Sequence, residues 1–214
     1  MALPSNKLIT INDRAARTAT TFGSVSAGGA NMVFIKKLTA SSSGTLSFVD
    51  GASSVVLDDT YKEYLFTFNN IHPATDGVKF TFQGSINTGS AYGVTTTNTL
   101  FQAFHNEADG NTGLSYDDGD DIAQGTGFIS LVRDDKLGAD ADQCASGTLR
   151  LFNPSSTTFV KHYIATTQSS HLSDFSLQCF TGGYFNTTSA VDAIQFKMSS
   201  GDIDAGDICL YGIL

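Results

Sequence analysis

The chain has 214 residues, a formal net charge of −9 and a content of only 15% charged residues. That length holds one sizeable β domain, or one domain plus an arm. The acidic balance argues against nucleic acid as the main partner of the body, and no run is long and apolar enough to span a membrane.

The apolar fraction of 41% supplies a core, and 16 Phe with 7 Tyr make that core aromatic. Only Glu63 and Glu107 are glutamate, so 21 − 2 leaves 19 aspartates. Aspartate favours turns and caps where glutamate favours helix interiors. With Gly, Ser, Thr and Asn plentiful, this is a composition of strands and turns.

Residues 1–32 alternate weakly and end in a Gly/Ser/Ala stretch that cannot bury much surface alone. They read either as a disordered tail or as an extended arm that orders against a neighbour. Residues 1–37 carry five basic residues against Asp13, and the remainder carries 7 basic and 20 acidic, so +4 and −13 sum to −9. Lys7, Arg14 and Arg17 are the expected docking residues of the arm, against an acidic protein surface. A secretory signal is not expected from these residues, which lack a continuous apolar core.

Residues 33–214 read as the folded domain. Short strand signals run through Val33–Leu38, Thr45–Val49 and Val55–Leu57, and then comes the most strongly patterned stretch, 61–85. There Tyr64, Phe66 and Phe68 fall on one side of an extended strand and Val78, Phe80 and Phe82 on one side of the next, with Lys62, Thr67, Lys79 and Thr81 intervening, the period of a half-buried strand. Turn formers lie between the two runs, so the spacing predicts a hairpin with an aromatic inner face.

Thr95–His105 is the next expected strand, and Glu107–Gly127 a long break. Further strands are expected at Phe128–Val132, Thr148–Phe152, Thr158–Thr166, Phe175–Phe180, Ala190–Met198 and Ile208–Ile213. The last two predict a closing hairpin. Ten to twelve short strands without a helical period give an all-β fold, an antiparallel β-sandwich or jelly roll with an extended N-terminal arm.

Cofactor chemistry is sparse. Asp109, Asn111, Asp117, Asp118, Asp120 and Asp121 crowd hard oxygen donors, as calcium requires, but the closing glutamate of an EF-hand is missing. They read as a calcium site assembled across loops or as solvated surface. The four histidines are scattered, and His162, between Val160 and Ile164, reads as a packed strand residue. No zinc spacing, nucleophile elbow or phosphate loop is present. Cys144, Cys179 and Cys209 read as buried free thiols in preference to a disulfide. Tyr92, Tyr116 and Tyr184, each near glycine or aspartate, are the residues able to offer a ring to a glycan.

Two stretches carry a resemblance. Residues 50–66, DGASSVVLDDTYKEYLF, with Asn70-Ile71-His72-Pro73, are one, and residues 183–190 with 194–203 and 210–213 are the other. Both resemble β-rich virion structural proteins of tailed bacteriophages of marine and cyanobacterial hosts. The resemblance spans roughly residues 44–214 and implies a non-enzymatic role in a virion assembled in the host cytoplasm. A tail-fibre or surface component for assembly or host attachment comes first, and a head decoration protein second. A carbohydrate-binding or glycan-cleaving tail module is the reading from a different class.

Large groups on both faces of Tyr64-Leu65-Phe66 and of residues 159–164 imply a second buried surface. Together with the commonly trimeric state of such surface proteins, this predicts a homotrimer, with other virion proteins and a host surface glycan as further partners.

Overall fold

The computed structural model describes residues 32–214, which form thirteen strands and no helix. Lys7, Arg14 and Arg17 lie outside the described residues. In chain order the strands are β1 (Met32–Ser43), β2 (Leu46–Val49), β3 (Glu63–Pro73), β4 (Phe80–Ser85), β5 (Thr96–Asn106), β6 (Thr112–Tyr116) and β7 (Ile122–Gly125). They continue with β8 (Ile129–Ser130), β9 (Ala145–Phe152), β10 (Lys161–His171), β11 (Phe175–Phe185), β12 (Ala193–Met198) and β13 (Ile203–Ile213).

Every pairing is antiparallel. Nine strands make one sheet in the order β1-β13-β3-β9-β10-β11-β5-β6, with β7 on the same edge of β5 as β6, and four make a second, β2-β12-β4-β8. The two sheets pack face to face as a sandwich, the fold class the alternation predicts.

The two expected hairpins are absent. β3 and β4 lie in different sheets, as do β12 and β13. In each case the polar turn carries the chain across the core from one layer to the other. Phe68 and Phe80 therefore meet as facing rings at 5.2 Å and 87°, not as neighbours on one ladder. A period of two assigns an inner face to a strand but is blind to which sheet that strand joins.

The core is aromatic, as the composition requires. Phe196 of β12 lies at its centre, within 5.3 to 6.3 Å of Phe48, Phe66, Phe68, Phe80 and Phe82. Edge-on geometry dominates these contacts, which suits the ring quadrupole. Val55 and Leu57 feed the same core from a loop instead of the expected strand.

The small sheet is too narrow to cover its partner. Over β10 and β11 the cover is completed by its short edge strand β8 and the residues after it. Thr167 Oγ1 donates to the Leu131 carbonyl, and Thr181 Oγ1 to the Ser130 carbonyl at 3.0 Å. Buried threonines on the sheet thus meet the backbone polar groups of a covering segment that has few ladder partners of its own.

Candidate functional site: the outer face of the nine-stranded sheet

The outward side chains of the large sheet follow from its register. One row across it reads Phe34, Tyr211, Leu65, Arg150, Ile164, Gly182, Thr99. The next reads Cys209, Thr67, Thr148, Thr166, Phe180, Phe101, Tyr116. Large apolar groups therefore stand in water: Phe34 is 57% exposed, Ile164 55%, Phe101 41% and Tyr116 54%.

Arg150 divides this face into two patches, its guanidinium held by the Glu63 carboxylate. On the β1 side, Phe34 packs edge-on against Tyr211 at 5.7 Å, beside half-buried Leu65. On the other side, Phe101 and Phe180 stack at 4.8 Å and 11°, and Tyr184 leans on His162 at 5.9 Å. His162 is exposed on this face and not packed as the sequence suggested, because Lys161 and Tyr163 take the inward positions beside it.

Of the three tyrosines, Tyr116 and Tyr184 share this face. Tyr116 donates to Asp121 Oδ2 at 2.6 Å, and that hydrogen bond holds the phenol above its ordinary pKa. Tyr92 stands apart in the β4–β5 loop, where its hydroxyl and Val49 close over Gly89, whose φ is +72°. Phe101, Phe180 and Gly182 complete the face, and sequence reading missed all three. An outward phenylalanine has the same local alternation as an inward one, and only cross-strand register shows it stacking outside.

The acidic residues separate into different settings. Asp109 and Asn111 sit at the β5–β6 turn, where Asp109 Oδ1 lies 3.0 Å from His105 Nε2. Asp118 is exposed at the surface, and Asp121 holds Tyr116. Asp117 and Asp120 are buried, and each already has a cation: Arg133 lies on Asp117, and Lys79 Nζ reaches Asp120 Oδ1 at 2.5 Å. Ser130 Oγ at 3.0 Å and the Asp134 N–H at 2.6 Å also donate to Asp120.

Among the described residues no group of three or more His, Cys, Asp or Glu could hold a metal ion. Excess chelator is therefore expected to leave the melting temperature where millimolar calcium leaves it. A rise with calcium would mean that the ion binds the folded state. The cysteines are free, with Cys179 and Cys209 buried.

Comparison with protein-family models, curated proteins and solved structures gave no match. The chemistry of the face is left to its own geometry. It offers stacked rings, hydroxyls and amides, and two ion pairs, Arg150 with Glu63 and Lys37 with Asp207.

Proposed function

We propose that the chain is a non-enzymatic structural protein of a virion, a surface or tail-fibre component that works by assembly and attachment. The observation that carries this reading is the outer face of the nine-stranded sheet. A sandwich with a full interior gains nothing from Phe34, Leu65 and Tyr211 in a row on its solvent side, so they are read as a contact surface. The resemblance of residues 50–66 with 70–73, and of residues 183–190 with 194–203 and 210–213, to phage virion proteins supplies the setting.

The β1-side patch is the proposed contact between copies. Met32, 49% exposed, and Phe34 extend it to the sheet edge, and Lys37 is neutralised there by Asp207 at 3.2 Å. Three copies is the order common in the proteins the chain resembles. Sedimentation equilibrium at micromolar concentration is expected to give three times the 22.6 kDa of one chain. Burying a large apolar side chain contributes about 1.5–3 kcal/mol. Phe34→Ser with Leu65→Ser should therefore weaken association roughly a hundredfold or more and shift the mass towards one chain. A wild-type protein that sediments cleanly as a single chain would overturn the self-association.

A further inference from the structure

Strand β11 contains two adjacent glycines that do different work. Gly183 faces inward, where a Cβ would meet the Thr97 carbonyl oxygen at 2.5 Å and the Tyr163 hydroxyl at 2.6 Å. Close packing explains it fully. Gly182 faces outward, and a Cβ there would meet nothing within 4 Å. It leaves a gap in the outer face, with Ile164 and Thr99 as its cross-strand neighbours. Phe180 and Tyr184, two residues to either side, point the same way. At about 3.3 Å per residue these rings sit roughly 13 Å apart along the strand. Each is backed by a second ring, Phe101 behind Phe180 and His162 behind Tyr184.

The charge of the surrounding surface is as informative. The outward residues of β10 are His162, Ile164, Thr166, Gln168 and Ser170. Those of β11 are Ser176, Gln178, Phe180, Gly182 and Tyr184, and β5 supplies Thr97, Thr99, Phe101, Ala103 and His105. None is Asp, Glu, Lys or Arg, although the chain has 12 basic and 21 acidic residues to place. A ligand matched to this area is uncharged, because a polyanion would find no cation here and a net charge of −9 nearby.

We propose that the outer surface of β10, β11 and β5 is a platform for a neutral carbohydrate chain, with the notch over Gly182 seating a sugar between Tyr184 and Phe180. A sugar ring presents C–H groups on its flat face, which suit the electron-rich face of an aromatic ring. Its rim of hydroxyls needs donors and acceptors of both kinds, which Thr99, Thr166 and Gln178 provide. The two aromatic stations, with the notch between them, match an extended chain better than a single ring. A flat protein partner, a second copy included, would leave the notch empty.

This deepens the attachment reading by naming its ligand class, and it uses the part of the face that the proposed contact between copies leaves open. The test is affinity electrophoresis of the full chain through gels cast with dextran, mannan or xylan, together with an array of neutral and acidic glycans at low and high salt. Retardation or array binding by a neutral glycan is expected, unchanged by salt. Gly182→Leu, which fills the notch from open space, should abolish binding without moving the melting curve. Tyr184→Ala should weaken it roughly tenfold and gives an independent reading should Gly182→Leu alter the fold.

Phe34→Ser should leave glycan binding intact, so loss of the oligomer and loss of the platform are separately visible. The proposal is overturned if no neutral glycan binds, if only acidic glycans bind, or if Gly182→Leu and Tyr184→Ala both bind normally. A changed sedimentation mass for Gly182→Leu would likewise overturn it, by making the notch part of a self-contact.

Discussion

Phe196→Ala is expected to destabilise the protein by about 3–5 kcal/mol, the cost of emptying a large aromatic site in a packed core. Phe196 touches five other rings, drawn from both layers of the sandwich. Those rings are held by strands on either side and cannot close the gap by a local rotation, so the loss should sit near the upper end. Urea unfolding monitored by tyrosine fluorescence measures it, as a lower midpoint with an unchanged slope. A loss below about 1 kcal/mol would mean that the surrounding rings collapse into the space. Exposed Phe159, 69% accessible in a loop, is the matched control. Its change to alanine should fall within about 0.5 kcal/mol of zero.

Asp120→Asn is expected to cost about 3 kcal/mol, because it strands the charge of Lys79 in a site built around the carboxylate. Asp120 is buried, and the Lys79 side chain keeps 22% of its exposure, which places the cost at the lower end for a buried pair. The pH dependence has a definite sign. Burial alone pulls the Lys79 pKa down, but the hydrogen bond and charge of Asp120, with Asp135 and Asp134, outweigh it and hold the value above 10.5. A lysine raised on folding contributes stability that is fully present below its unfolded pKa and lost as pH rises through the folded one. The difference between wild type and Asp120→Asn should thus be largest near neutrality and shrink at strongly alkaline pH. Thermal melts across that range test it, and a difference that grows with alkalinity would contradict the assignment.

The fold class was legible because it needs only the period of two. Tyr64, Phe66 and Phe68 announce a buried face, as do Val78, Phe80 and Phe82, and all six are buried. Partnership was not legible, since strands that face each other across a core and strands that share a ladder show the same alternation. The short strands β6 and β7 were hidden inside what read as one long break. Thr112-Gly113-Leu114-Ser115-Tyr116 carries its apolar groups outward, with Leu114 73% exposed, so no inward pattern marks it. Of the candidate site, Tyr116 and Tyr184 could be named from their neighbours in sequence. Gly182 could not, because a glycine that leaves room for a ligand and one that avoids a clash are identical in a string of letters.

The edge strand β1 bonds to one neighbour in its sheet, and that neighbour is β13, the last strand of the described chain. Met32 is opposite Ile213, and Ser43 is opposite Ile203. During synthesis β1 emerges early yet has nothing to pair with until β13 has left the ribosome. The proposed contact patch shares this timing, since Phe34 comes from β1, Tyr211 from β13 and Leu65 from β3. A chain that stops short of β13 leaves the inner edge of β3 open and never assembles the patch. The proposed contact between copies thereby waits for β13, a check that the strand order imposes without any dedicated residue.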